Sequence, residues 1–208
     1  MAEPETLPST LPPRRSALDA VWAPGVHGAP GAGGPGVAIS RRLGLSVVQL
    51  DARRGRSDAV QAALRDGLGL ALPEPGRAAA SGDVRALWHG PDRWMLIARD
   101  GTGRHAARVR AIVEAVGGVV VDQGHGRAIL RLEGPRVREV LAKGTGVDLH
   151  PRAFSEDAVA QTALFHLSAT IDRRRGTGCF DVHVMRGFAQ TFFESLCEAA
   201  GEFGYRVV

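Results

Sequence analysis

The residues with the best spacing for acid–base chemistry are Asp122, His125 and Arg127. A histidine close to a carboxylate can act as a general base whose ring the carboxylate orients. The glycines at positions 124 and 126 also suit a polar turn, because glycine accepts the positive φ values that such turns need. Since no nucleophile or substrate-pocket pattern accompanies the trio, we interpret it as a turn rather than a catalytic site.

A second chemical signal is the stretch from Gly101 to Ala106, which matches the dinucleotide-binding pattern G-x-G-x-x-A. It follows a predicted strand and opens a predicted helix, and Asp122 stands where such sites place the acid that binds a ribose. Only residues 123–126 separate Asp122 from the next predicted strand. This leaves no space for the second crossover helix of a doubly wound sheet, so we interpret the stretch as a hairpin-to-helix turn.

The seven histidines do not show the spacing of a metal site. Asp148 and His150 could meet His125 only through the fold, and no H-x-x-x-H or C-x-x-C pair occurs. Such pairs are the usual sign of a zinc site. His183 alternates with two valines in a predicted strand, and we interpret it as a surface or interface histidine. We therefore predict that this chain binds no metal and no cofactor.

Composition indicates a globular chain without strong signals for a membrane or for nucleic acid. Of 208 residues, 44% are hydrophobic, yet no apolar run approaches the roughly 20 residues of a membrane helix. The start of the chain is acidic and only two cysteines occur, which favours a cytoplasmic protein. The net charge is +4 and Lys143 is the only lysine. The arginines are scattered, so we predict no nucleic acid partner; arginine instead favours carboxylates on a partner protein.

These residues are positioned by a predicted α+β domain over 39–208, which a flexible, proline- and glycine-rich tail over 1–38 precedes. Two halves, 39–123 and 124–208, each show the order strand-helix-strand-strand-helix-strand. This is the split βαβ pattern of ferredoxin-like units. Further expectations are a helix capped by Ser57, a loop over 71–83, a helix over 135–143 and one strand over 161–171.

Tryptophans suggest where a partner could bind. Trp88 and Trp94 bracket a predicted hairpin, where core packing is the default and an interface the alternative, since tryptophan and arginine are enriched at interfaces. The tail could likewise order on a partner through Leu18, Val21 and Trp22. The candidate partner interface therefore comprises Trp22, Trp88, Trp94, His125, Arg127, Asp148 and His150.

One long phrase resembles a known family. Residues 122–154 contain D-x-x-H-G-R, then L-R-L-x-G-P-R-x-R-x-V-L-A-K-G, then V-D-L-H-P-R-A-F. This phrase is similar to the gamma subunit family of heterotetrameric sarcosine oxidase. The resemblance extends to Arg15–Leu18, to Trp88–Trp94 and to Ala160–Thr162. The family usually has serine where this chain has Gly124, so any role of that hydroxyl is lost here.

The resemblance implies a non-catalytic gamma subunit that docks on and stabilises the large alpha subunit of a complex with beta and delta subunits. That complex oxidatively demethylates sarcosine to glycine and passes the one-carbon unit to tetrahydrofolate. FAD, FMN, NAD, tetrahydrofolate and zinc would belong to the other subunits. The resemblance also implies a fold similar to the folate-binding aminomethyltransferase module, which by itself does not carry folate binding to this chain.

Two other functions stay open at this point. The chain could be a free-standing folate- or one-carbon-binding protein, as the kinship of the module suggests. It could also be the matching subunit of a related N-methyl amine dehydrogenase complex, because another chain would choose the substrate. For the subunit, we expect the tail to order only in the complex.

Overall fold

A computed structural model describes residues 15–100 and 103–208. The described residues form two β-sheets that lie face to face, and two α-helices cover the outer face of each sheet. In chain order the elements are β1 (Gly25–His27), β2 (Val37–Arg41), β3 (Leu45–Ala52), α1 (Ser57–Leu68), β4 (Ala78–Ser81), β5 (Val84–Gly90), β6 (Arg93–Arg99), α2 (Arg104–Val113), β7 (Gly118–Asp122), β8 (Arg127–Glu133), α3 (Val137–Ala142), β9 (Val159–Leu164), β10 (Leu167–Arg173), β11 (Phe180–Met185), α4 (Ala189–Ala200) and β12 (Tyr205–Val207).

The strand order confirms the predicted α+β fold with two ferredoxin-like halves. The five-stranded sheet has the order β4-β5-β6-β3-β7, and the seven-stranded sheet has the order β1-β12-β2-β8-β11-β10-β9. In the first sheet β3, the strand before α1, lies between β6 and β7, as the split βαβ pattern requires. In the second sheet β8, the strand before α3, pairs with β11, but β2 is inserted between β8 and β12, and β1 adds a strand beyond β12.

Alternation along the strands explains how each sheet serves two layers. In β8, Leu130 and Leu132 are buried beneath α3 and α4, whereas Ile129 joins an apolar group between the sheets. A strand turns successive side chains to opposite faces, so one strand contributes to both layers. In α4, Phe192 and Leu196 repeat at helical spacing and are fully buried.

The N-terminal segment differs from the predicted flexible tail. Residues 1–14 lie outside the described residues, but Leu18 is 1% exposed within the core of the seven-stranded sheet. β1 pairs with β12, and β2 pairs with both β8 and β12. The segment before residue 39 therefore belongs to the second half. Its apolar residues are too few to predict a strand. In the structure, β2 fills the space between β8 and β12, two strands that come much later in the chain.

Four local predictions differ from the structure. The loop over 71–83 contains β4, a short alanine-rich edge strand, and the single strand over 161–171 is instead the hairpin of β9 and β10. Its turn residues, Phe165 and His166, have φ values of 50° and 64° without the Asn-Gly pattern that announces such turns. Arg56 is the N-cap of α1, and Ser57 instead donates its hydroxyl to Asp92. The predicted 135–143 helix is the shorter α3.

Gly134, in the family phrase, has a role that its surroundings explain. Its φ is +137°, and a Cβ here would overlap the carbonyl oxygen of Gly36, just before β2. Gly178 approaches Gly134 in the same way, with a φ of +61°. Backbone segments from three parts of the chain therefore meet where side chains cannot fit. This close contact anchors the start of β2 beside the end of β8.

Candidate functional site

The layer between the two sheets is partly apolar and partly charged. Its apolar part combines side chains of both sheets, which are Val47, Ala78, Leu87, Met95, Ile129 and Val159. Its charged part lies beside this group and consists of ion pairs, which sequence analysis did not single out, and of histidines, among which sequence analysis had considered His183 as a surface or interface residue. One signal in the sequence could have revealed the ion pairs: an acid in a strand with apolar residues on both sides, as Asp181 has in Phe180 and Val182.

An ion pair across the layer joins the two sheets. Arg85 of β5 donates two hydrogen bonds to Asp172 of β10, at 2.8 and 2.6 Å, and a third to Asp157 at 2.8 Å. Asp172 is 0% exposed. Burial alone would lower the pKa of Arg85, but its hydrogen bonds to Asp172 and Asp157 raise it above the ordinary value. Arg85 therefore stays charged. Burial alone would raise the pKa of Asp157, but its hydrogen bonds with Arg85 and Arg175 lower it.

A second buried group surrounds His183, which contradicts the prediction of a surface histidine. Arg131 donates two hydrogen bonds to Asp181, at 2.8 and 2.9 Å. His183 follows on the same face of β11 and is 1% exposed, and within residues 15–100 and 103–208 neither ring nitrogen has a hydrogen-bond partner. Burial lowers the pKa of His183, so its ring stays neutral. The histidine points inward because the first sheet covers this face.

His89 lies in the same layer, and the stability of the fold should depend on it below neutral pH. Burial, followed by repulsion from Arg127, lowers its pKa to about 4. An unfolded histidine has a pKa near 6.5. Between these values the unfolded chain binds a proton that the folded chain does not bind. The stabilisation is complete above pH 6.5 and is lost as the pH falls towards 4, by about 1–3 kcal/mol.

Urea unfolding of the chain at pH 7.5 and at pH 5 measures this loss. His89→Gln should reduce the difference between the two pH values. His150→Gln, which replaces an exposed histidine, should keep the difference of the unmodified chain. An unchanged difference in His89→Gln would contradict this assignment.

At one end the layer opens into a cavity of about 420 Å³, which we call the arginine cleft. Leu18, Leu45, Val47, Ala128 and Ile129 supply apolar walls. Two family phrases more than one hundred positions apart along the chain converge here, since Arg15–Leu18 and the His125 region both line the cleft. Its arginines are Arg15, Arg41, Arg42, Arg127 and Arg186.

The arginine cleft has more positive than negative side chains among its described lining residues. Within the described part of the chain, Asp19 is the one acid that lines the cleft, and it forms an ion pair with Arg41 at 2.6 Å. Arg186 donates to the backbone carbonyl of Arg15 at 2.7 Å. The Nε atoms of Arg42 and Arg127 are buried and find no acceptor among the described residues. Burial lowers the pKa of both guanidinium groups. The cleft is thus a cationic, partly apolar cavity.

The structure separates the predicted interface residues. His125 and Arg127 line the arginine cleft, whereas Asp148 and His150 lie in an exposed turn elsewhere, where the Asp148 carboxylate accepts a hydrogen bond from the His150 amide at 2.8 Å. Asp122 accepts a hydrogen bond from the Gly124 amide at 2.7 Å, as a turn requires.

The three tryptophans differ in exposure. Trp94 is 7% exposed and its indole donates to the carbonyl of Pro73 at 3.2 Å, so it belongs to the core. Trp88 is half-buried and lies directly opposite Trp94 on the neighbouring strand. Trp22 stacks on Phe193 with ring centres 5.0 Å apart, and the guanidinium of Arg41 lies 4.6 Å above its ring. Trp94 thus offers a partner almost no surface.

Other chemical signals find little support in the described part of the chain. Gly101 and Thr102 of the dinucleotide-like stretch lie outside it. Within the described ranges, no three histidine, cysteine or acidic side chains come together as metal ligands. Cys179 and Cys197 are both free. None of the helices in these ranges has the length and apolar character to cross a bilayer.

The fold and the pairing of its halves define the chain as a protein of the aminomethyltransferase fold. The structure is similar to aminomethyltransferase T of the glycine cleavage system from Bartonella henselae, with a TM-score of 0.64 and 16% identity over 84% of this chain and 48% of that chain. Such identity shows the fold alone. The sequence model for the sarcosine oxidase gamma subunit family matches residues 53–202. The chain belongs to the sarcosine oxidase gamma subunit family.

Individual relatives agree with this family. The chain is 34% identical to sarcosine oxidase subunit gamma of Arthrobacter sp. over 140 residues, which are 66% of this chain and 68% of that protein. It is 31% identical to the same subunit of Corynebacterium sp. (strain U-96), over 80% of this chain and 78% of that protein. A chain of the heterotetrameric sarcosine oxidase from Corynebacterium sp. U-96, solved with pyrrole 2-carboxylate, superposes with a TM-score of 0.75 and 26% identity, covering 91% of this chain and 96% of that chain.

Proposed function

We propose that the chain acts as the non-catalytic gamma subunit of a heterotetrameric sarcosine oxidase, where it docks on and stabilises the large alpha subunit. The observation that carries this proposal is the match along nearly the whole length of a chain of that complex, 91% of this chain and 96% of the other. The family match over residues 53–202 supports the same role. The complex would oxidise sarcosine to glycine and transfer the one-carbon unit to tetrahydrofolate.

The proposal places FAD, FMN, NAD, tetrahydrofolate and zinc in the alpha, beta and delta subunits. In this chain the buried acids have a structural role. Arg85 binds Asp172 between the two sheets, and Arg131 binds Asp181 within one sheet. Acids bound in this way link the strands and the two sheets. The two free cysteines suit a cytoplasmic complex, since reduced thiols persist there.

Co-expression tests the subunit role directly. The tagged chain is produced with the alpha, beta and delta chains, and the purified material is examined by mass spectrometry and by sarcosine-dependent hydrogen peroxide formation. We expect all four chains and the activity to purify together, and the yield of soluble alpha chain to fall when this chain is omitted. A stoichiometric flavin spectrum of this chain alone, or full yield and activity without it, would contradict the proposal.

Two alternatives have their own measurements. The aminomethyltransferase fold favours a folate- or one-carbon-binding protein, and a titration of the purified chain with tetrahydrofolate tests it. For a related N-methyl amine dehydrogenase complex, the co-purified assembly would prefer another N-methyl amine over sarcosine. Saturable tetrahydrofolate binding by a chain that purifies alone would replace the subunit proposal with the first alternative.

A further inference from the structure

We propose that the arginine cleft is a binding site for a small organic carboxylate, a role that goes beyond subunit assembly. The first argument is an unmet hydrogen-bonding need. The Nε atoms of Arg42 and Arg127 are buried, and no described residue accepts a hydrogen bond from them. A buried donor without an acceptor is unfavourable, and it is more so when the group is charged. A bound anion would supply the missing acceptor.

The second argument is the local charge. Among the described residues, Asp19 is the one acid that lines the cleft, and Arg41 already neutralises it. Within residues 15–100 and 103–208, no carboxylate lies within ion-pair distance of Arg42 or Arg127. Both residues line the cleft beside Ile129, whose carbonyl accepts a hydrogen bond from the Arg42 amide at 2.9 Å. The cleft therefore contains two arginines that no carboxylate of the described residues neutralises by direct contact.

The third argument selects the class of anion. A guanidinium group presents donors in a plane that matches a carboxylate or a phosphate. The cleft also has aliphatic walls, including Leu43, Leu45 and Ala128, which are exposed or half-buried and which an inorganic anion would leave in contact with water. Its volume of about 420 Å³ lies in the range of small-molecule sites, which is about 300–1,000 Å³. A carboxylate with a hydrocarbon body satisfies both the arginines and the walls.

Calorimetric titration of the purified full chain with hexanoate tests the site, with the fluorescence of Trp22, which contacts Arg41, as a second signal. Hexanamide has nearly the same shape without the charge, and inorganic phosphate has the charge without the hydrocarbon. We expect saturable binding of one hexanoate, and affinities at least about tenfold lower for the other two compounds.

Three variants assign the binding to the cleft, and a fourth is the control. Arg127→Gln and Arg42→Gln should each weaken hexanoate binding by about tenfold or more, because each removes a charge-assisted hydrogen bond. Arg127→Lys keeps the charge and should retain part of the affinity, which separates recognition from loss of fold. Arg54→Gln, at an exposed arginine outside the cleft, should bind like the unmodified chain.

Several outcomes would overturn the site. These are the absence of saturable hexanoate binding, equal affinity for hexanamide or phosphate, or unchanged binding in Arg127→Gln. If the unmodified chain binds no hexanoate while Arg127→Gln fails to assemble with the partner chains, the cleft is a protein-docking surface instead. Assembly is measured separately, so the subunit role and the carboxylate site can fail independently.

Discussion

Replacing Arg85 by methionine is expected to lower the free energy of unfolding by about 3–5 kcal/mol. The variant leaves the fully buried Asp172 without the arginine that binds both of its oxygens. Arg174 stays at 3.3 Å but makes a single contact from a partly exposed position. A buried charge that loses its partner is destabilising, because the low-dielectric interior solvates it poorly. Urea unfolding monitored by circular dichroism measures the change.

Arg175→Met is the matched control for this prediction. Arg175 contacts Asp157, an acid that Arg85 also contacts, but its side chain is 81% exposed. Exposed ion pairs contribute little, so a loss below about 1 kcal/mol is expected. Equal losses in the two variants would show that the pair between the sheets is no more important than a surface contact.

Leu18→Ala should lower the free energy of unfolding by about 2–5 kcal/mol. Leu18 is 1% exposed among the residues that lie between the seven-stranded sheet and its helices, so the truncation creates a cavity. Thermal and urea unfolding of the isolated chain measure the loss. The result also decides how the N-terminal segment behaves in the absence of partners.

Leu43→Ala is the control, because Leu43 is 63% exposed and its truncation should change stability by less than about 0.5 kcal/mol. If Leu18→Ala were as mild as this control, residues near Leu18 would not be docked in the isolated chain. The interpretation of a tail that orders only in the complex would then stand.

Local patterns were sufficient for much of the fold. Period-two alternation and helical spacing predicted most strands and helices, and Gly90-Pro91-Asp92 predicted the hairpin of β5 and β6. The turn at Phe165 and His166 was missed because neither position is a glycine or an asparagine, although both residues adopt positive φ. Their conformation follows from pairing of β9 with β10, which is a tertiary effect.

The candidate site was predictable only in part. His125 and Arg127 were singled out because their phrase is distinctive, and both line the arginine cleft. Arg42 and Arg85 belong to no sequence motif. Their importance arises only when the two sheets pack face to face. Residues such as Arg85 and Asp172 are 87 positions apart along the chain, so no local window can reveal their pairing.

The insertion of β2 has a consequence for how the protein is made. Synthesis begins at the N-terminus, so residues 37–41 leave the ribosome well before β8, and β12 comes last. The five-stranded sheet uses only strands between positions 45 and 122 and can form early. In the other sheet, β2 has no partner on its second side until β12 is present. Chains that terminate early would therefore expose one unpaired side of this apolar strand, and quality control by chaperones and proteases would act on this half of the molecule.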